Sequence, residues 1–477
     1  MWLLFTLAPL ASVALGSFIV YDPSDVIPSA EWAADNAYVF DWHKSGVTYQ
    51  DIAIESPFYY SRQRKQISHE VLENHMNDTS VLVVTEGSTV NVEYSTIVKT
   101  GYSTSLTQSS FFGASSETPF RYLRTNLIIG ANAAVNNANG STLYLSNVNV
   151  TTHNGAANVY THGNTSVVYA EDVWAYSSGP VSHGFYASGN GTIHAKNIRH
   201  YSGGTRCSSF SGDVPNGYIH AENVIAHTDG VGSAICFLQG VCNMTNVVGY
   251  ARNAPIMFSD GAMGPVTGIW KDSDVTAGLL AGVLMFSDSV IADGSVTVLD
   301  NTKLTVLGDT MPALWAGNII AVAYIKSSSI NNTASGILAV ANFSSVTQDF
   351  DYYAGYENNN ELSPAQLTIH VEDSNLSGSL VAFNESLLNF NLAGHSNWTG
   401  ETKIAYGKAY LAVHLDNTSS WTLTGNSALQ NFSNADISLS NIVSNGYHIT
   451  YDGKSRANSA LKKKSYKLPG GGFLRPE

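Results

Sequence analysis

From Val81 to about Ser444, apolar and polar residues alternate in short runs broken by Gly, Asn, Asp and Ser. STVNVEYSTIV (residues 88–98) is typical: a period of two over a few residues, which is the pattern of a half-buried strand. Between Asn147 and Phe286 these runs join into one phrase written six times: NVNVTTHNGAANVY, DVWAYSSGPVSHGFY, NIRHYSGGTRCSSF, NVIAHTDGVGSAICF, NVVGYARNAPIMF and DVTAGLLAGVLMF. The phrases open at Asn147, Asp172, Asn197, Asn223, Asn246 and Asp274, so successive steps are 25, 25, 26, 23 and 28 residues. A repeat of this length, built from pieces too short and too Gly/Asn-punctuated for helix pairs, signals a solenoid. The pattern predicts an all-β fold: a right-handed parallel β-helix of about 25 residues per coil, with an N-terminal cap and long loop excursions.

Aligning the phrases on their opening residue gives columns. Two residues earlier lie Leu145, Ala170, Ala195, Ala221, Met244 and Asp272; four earlier lie Leu143, Val168, Ile193, Ile219, Cys242 and Trp270. Alternation makes these columns inward-facing, and turns Tyr144, Tyr169, His194, His220, Asn243 and Lys271 outward. The closing aromatics, Tyr160, Tyr186, Phe210, Phe237, Phe258 and Phe286, read as an internal stack. Four residues after the opening stand Thr151, Tyr176, Tyr201, His227, Tyr250 and Gly278, and two further on His153, Ser178, Gly203, Asp229, Arg252 and Leu280. In register, Tyr176, Tyr201, His227 and Tyr250 would form a ladder of roughly 15 Å. His183, His200 and Arg206 fall close by, and seven of the 14 histidines lie between His153 and His227. The ladder reads as a binding groove: Tyr176, His183, Tyr201, His227 and Arg252 are the catalytic candidates, and Arg206, Asp229 and Tyr250 substrate-binding candidates. The same column also describes a decorated face, because Tyr and His suit strands and turns, and Asp229–Arg252 also reads as a structural ion pair.

Outside the phrases, residues 17–86 read as the N-terminal cap and residues 87–444 as the β-helix. Two excursions break it, at 101–126 and 349–366. Loops of that length in a compact solenoid form a lid or the wall of a groove. The second brings Tyr352 and Tyr353, two further substrate-binding candidates. Residues 445–477 turn basic and Gly-rich and read as a flexible tail.

Composition adds a compartment. Residues 1–16 form a short apolar run ending Ala14-Leu15-Gly16, which reads as a signal peptide rather than a spanning helix. Sequons begin at Asn77, Asn139, Asn149, Asn164, Asn190, Asn243, Asn331, Asn342, Asn375, Asn384, Asn397, Asn417 and Asn431. Together they predict a glycoprotein of the secretory pathway, secreted or vesicular, with no stable membrane insertion. Of the three cysteines, Cys207 and Cys236 occupy similar places in successive phrases and are the candidate disulfide; Cys242 reads as a buried thiol. The net charge of −14 argues against nucleic acid as partner.

Absences bear on the chemistry. No Cys/His spacing suggests zinc, and no metal or other cofactor is implied. The NTD, DD and RIK motifs of polygalacturonases are missing, and Ser182-His183-Gly184 is the sole partial echo of their GHG. No acidic column suits the calcium of a pectate lyase. Asp260 and Asp288 follow aligned aromatics and are the best carboxylate pair for glycosidase work.

The segments RTNLIIGANAAVNNANGSTLYLSNVNVTTHNGAANVY, SSGPVSHGFYASGNGTI, SSFSGD and APIMFSDG resemble a group of fungal secreted β-helix proteins that includes the hetero-Diels–Alderases of tropolonic sesquiterpenoid pathways. The resemblance covers most of the mature chain and assigns no residue a role. It implies a cofactor-free enzyme joining a polyketide-derived ortho-quinone methide to a humulene-type alkene. Such an enzyme needs an apolar pocket holding both partners in reacting geometry, and a donor that polarises a carbonyl or assists dehydration. A lyase or hydrolase of cell-wall polysaccharide and a non-enzymatic surface adhesin are the alternatives.

Overall fold

The computed structural model describes residues 54–102, 130–153, 157–261, 264–287, 291–342, 363–405 and 407–477. They form a parallel β-solenoid of about 14 turns, about 25 residues each. In the central coils a long strand, such as Val167–Ser177, bends in its middle, and a short strand, such as Phe185–Ser188, closes the turn. Each coil thus has three walls. In coil Thr142–His162 the first is 142–146, the second 148–152 and the third the strand Val159–His162.

The opening Asn or Asp of each phrase is the bend. Asn147, Asp172, Asn197, Asn223 and Asn246 all have φ between 53° and 57°. Asn and Asp tolerate this left-handed conformation better than other side-chain-bearing residues. They are also tied to one another. Asn197 Nδ2 donates to Asp172 Oδ1 (3.0 Å), Asn223 to Asn197 (3.1 Å) and Asn246 to Asn223 (2.7 Å). In the sixth phrase the bend is at Asp272 (φ 51°), accepting from Asn301, and not at Asp274. The expected columns therefore slip by two there. Trp270, fully buried, continues the column of Met244, Gly268 that of Cys242, and Ile269 that of Asn243. Lys271 pairs with Thr245 instead, and Thr276 takes the place expected for Gly278.

Inside the first and second walls, Leu143, Val168, Ile193 and Ile219 and then Val148, Val173, Ile198 and Val224 stack in register. The interior of the third wall is the column Val159, Phe185, Phe210, Cys236, Met257 and Val283. The closing aromatics are thus not one internal stack. Tyr160, Tyr186, Phe237 and Phe258 belong to the neighbouring column, with Ser211 and Leu284 in it, and alternation turns that column outward. Phe210 alone of the six is in the inward column, and Phe286 pairs with Asp260.

Four further expectations are corrected. The disulfide joins Cys236 to Cys242, and Cys207 is a buried free thiol. The register explains this: Cys236 pairs with Phe210, three residues past Cys207, whereas Cys207 is aligned with Ser182 and Ser233, to which it is hydrogen-bonded. Phe58–Ser61 already pairs in parallel with Leu82–Thr85, so the cap expected up to residue 86 includes a solenoid turn. The C-terminal segment is no flexible tail. Ile449–Tyr451 and Phe473–Pro476 form a separate small sheet with Ser427–Leu429, and Tyr451 and Leu474 are fully buried. The sequon Asn342 lies buried on its strand, where a glycan has no room, while Asn77, Asn139, Asn164, Asn331, Asn375, Asn397 and Asn417 are exposed. The excursion 349–366 with Tyr352 and Tyr353, most of 101–126, the apolar run 1–16 and Asp288 lie outside the described residues. No helix among those described is long and apolar enough to cross a membrane.

Candidate functional site

The predicted ladder is in register. Thr151, Tyr176, Tyr201, His227, Tyr250 and Thr276 follow one another along the second wall. Their neighbours Ala175, His200 and Ala226 fill the interior, so the ladder side chains point out of the coil. The His227 ring meets Tyr201 edge-on at 4.9 Å and stacks on Tyr250 at 5.1 Å. Two residues earlier on the same face, Arg199 lies over the Trp174 ring at 4.6 Å, a cation–π contact.

Outward direction and burial do not go together here. On the first wall the outward column Tyr144, Tyr169, His194 and His220 stacks at 5.0–5.1 Å, and Tyr144 and Tyr169 are 40% exposed or more. On the second wall, Tyr176, Tyr201 and His227 are at most 7% exposed. The outward face of the third wall is equally withdrawn. Tyr160 and Tyr186, stacked at 5.3 Å, are fully buried, and Phe237 and Phe258 nearly so. Gly130 (φ 52°) packs on the Tyr160 ring so closely that an added Cβ would stand 2.6 Å from it.

Two residues beyond that ring column runs a polar one: His162, Ser188, Asp213, Gln239 and Asp260. Ser188 Oγ meets both Tyr160 Oη and His162 Nδ1 at 3.0 Å. Tyr186 Oη donates to Asp213 Oδ2 at 2.5 Å, and Gln239 Nε2 to Asp260 Oδ2 at 2.8 Å. Asp213 and Asp260 are at most 1% exposed. Two coil steps separate them, about 10 Å. Burying a carboxylate demands charged or hydrogen-bonding partners, which these bonds supply in part.

The loop between the second and third walls connects the strips. His183 is buried there with its ring 5.1 Å from that of Tyr186, and burial pushes its pKa down to about 3. It is a neutral imidazole at any physiological pH. Arg206 is in the same loop one coil on, in left-handed conformation and 6% exposed. Arg252 and Asp229 stand at the rim. Nη1 donates to Asp229 Oδ1 at 3.0 Å, which raises the guanidinium pKa, and the Arg252 side chain is 59% exposed. Among the described residues no three His, Cys, Asp or Glu side chains gather into a metal site.

The structure thus brings Tyr176, Tyr201, His227 and Tyr250 onto one covered face with His183 and Arg206 beside it, and leaves Arg252–Asp229 as a half-exposed pair. Sequence reasoning missed Tyr186, Asp213 and Gln239, and Trp174 with Arg199. Asp213 carried no clear signal: it stands three places after its closing aromatic, Phe210, whereas Asp260 stands two after Phe258, and only the strand register aligns Ser211 with Tyr186 and Phe237. No family model matches this chain, and no curated protein or solved structure does either.

Proposed function

We propose that the protein is a cofactor-free enzyme acting on a small, partly apolar substrate held against the covered outer faces of the coils between Tyr160 and Asp260. The observation that carries this reading is the contrast in burial. Outward rings on the first wall are solvated, whereas Tyr176, Tyr201, His227, Tyr160 and Tyr186 are withdrawn from water together with two carboxylates. A surface adhesin gains nothing from hiding its Tyr, His and Asp columns. An active site does, because exclusion of water strengthens each polar contact.

The reaction this arrangement suits is a hetero-Diels–Alder addition of an ortho-quinone methide to a terpene alkene, in the secretory pathway of a fungal producer. Such a cycloaddition needs its two partners held face to face, which converts a bimolecular encounter into an effectively unimolecular step. Aromatic walls suit the alkene and the flat heterodiene. The Tyr hydroxyls, His227 and the Tyr186–Asp213 pair suit polarisation of the heterodiene oxygen and removal of water from its precursor. The Asp213–Asp260 pair favours a second reading, hydrolysis of a glycosidic bond with inversion. Inverting enzymes keep their carboxyl groups about 6.5–9.5 Å apart with water between them. Their burial and their bonds to Tyr186 and Gln239 suit an enclosed apolar site better than an open polysaccharide groove.

The test is chiral analysis of product formed from an ortho-quinone methide, generated in solution, and humulene, with and without protein. Faster formation of a single stereoisomer is the expected result. A racemic product at the background rate, with sugar released from fungal or plant wall polysaccharide instead, rejects this reading for the hydrolase.

A further inference from the structure

The chain carries its charge unevenly. Residues 445–477 hold seven Lys or Arg against two acids, Asp452 and Glu477, a net +5 in a chain whose total is −14, so all other residues together stand at −19. The seven cations, from Lys454 to Arg475, are all exposed. None has an ion-pair partner among the described residues. On the solenoid body, by contrast, Lys196, Arg252, Lys303 and Lys403 each pair with an acid at 2.6–3.8 Å.

These cations stand on a fixed backbone. Lys462 N donates to Ser459 O (3.1 Å) and Lys464 N to Leu461 O (3.0 Å). Tyr451 Oη donates to Lys464 O (2.8 Å), and Tyr466 Oη to Leu461 O (3.0 Å). Pro476 and Lys463 supply the atoms nearest a Cβ built at Gly453, which brings the segments of Lys454, Lys463 and Arg475 together. Lys467 stands opposite Phe473 on the antiparallel pair that closes the small sheet. Leu474 is buried, so alternation turns Lys467, Phe473 and Arg475 to the outside. The Phe473 ring, 40% exposed and 5.9 Å from that of His448, is thus flanked by cations.

Capping does not call for these charges. The cover is made by Tyr451, Leu468 and Leu474, and keeping a last strand from pairing with another chain takes one or two charges. Like charges gathered on one rigid end repel one another, and a polyanion relieves the repulsion. The rest of the surface says which polyanion. Phe473 is the one large hydrophobic side chain exposed between residues 454 and 477, too little for the apolar core of a protein interface or for burial in a bilayer. Nucleic acid calls for a row of stacking rings, and the −19 of the other residues repels it. Five of the seven cations are Lys, point charges suited to acid groups spaced along a flexible chain rather than to one planar anion. A half-exposed ring among them offers a sugar its apolar face.

We infer that the C-terminal cap is a docking surface for an acidic polysaccharide, a chain bearing carboxylate or sulfate, held by the cations between Lys454 and Arg475 with a sugar ring against Phe473. The inference goes beyond the proposed reaction and does not depend on it.

Isothermal titration of the full chain with polygalacturonate, dextran sulfate and neutral dextran, at about 0.15 M salt so that long-range attraction is screened, tests it. Binding to at least one acidic chain and none to dextran is expected, and the tighter of the two acidic chains identifies the acid. A protein of net charge −14 has no diffuse attraction for a polyanion, so such binding reports a local patch. Lys462→Gln, Lys463→Gln and Lys464→Gln together should weaken it about tenfold or more with an unchanged Tm. Lys467→Gln with Arg475→Gln should weaken it by a similar factor, and keeps the test intact if the triple variant does not fold. Lys196→Gln with Lys303→Gln, on the solenoid, should leave it as in the native protein. Absence of binding to either acidic chain overturns the inference and leaves the cations as protection of the last strand. Affinity undiminished in the folded cap variants, or lowered equally by the solenoid pair, also overturns it. Tighter binding to anionic vesicles or to single-stranded DNA overturns the polysaccharide as partner.

Discussion

His183, in the loop between the second and third walls, and His200, inside the second, are buried imidazoles, and each has a pKa pushed down to about 3 by burial. His200 points into the coil, where its Nδ1 meets Ser209 Oγ at 2.8 Å. The unfolded chain titrates these groups near 6.5 and so binds more protons than the folded one between pH 6.5 and 3. Their contribution is complete above about pH 6.5 and is lost progressively as pH falls. The loss is on the order of 1 kcal/mol per unit for each histidine. Urea titrations at pH 7.5 and pH 5 should show this fall, and His200→Asn should lessen it. Asp229–Arg252 is the opposite case. With Arg252 mostly exposed, Asp229→Asn should shift stability by less than about 1 kcal/mol in the same titrations. The ladder residues were legible in the sequence because a fixed offset from the bend determines which way a strand residue points. Tyr186 was not, because the number of residues between second and third walls varies from coil to coil. The closing aromatic is thus an unreliable marker of phase, as Phe210 against Tyr186 demonstrates.

Among the elements, the bend is the one most fully written in the chain. Its Asn ladder carries two constraints at once, a left-handed backbone and a side-chain bond to the next coil. Asn197→Ala loses both and should cost about 2 kcal/mol, while Asn197→Gly keeps the backbone and should cost about half as much. Equal melting temperatures for the two variants would show that the ladder bond, not the backbone, dominates. The C-terminal cap was misread because basic, Gly-rich sequence resembles disorder. Its order comes from a few apolar residues, Tyr451, Leu468 and Leu474, buried on the last coil. Solenoid ends need such covers. Truncation after Ser444 should lower Tm and produce oligomers on size-exclusion chromatography; a monomer with unchanged Tm would deny the segment its capping role.

At the scale of the whole molecule, a parallel solenoid repeats each outward column along its length, so a binding surface can be built by changing what covers a column rather than the column itself. This is why the fold was legible and the site only half so. Period and alternation are local properties of the sequence, but burial of an outward face is not. Tyr169 and Tyr176 look alike in the chain, yet one is 40% exposed and the other 7%. The central claim is that function resides in the covered columns and not in the solvated one. Cycloaddition turnover in Tyr201→Ala and His227→Ala, set against Tyr169→Ala and His194→Ala, tests it most directly. The account predicts at least a tenfold loss in the first pair and wild-type turnover in the second. Loss confined to the second pair, or the same turnover in all four, would contradict it.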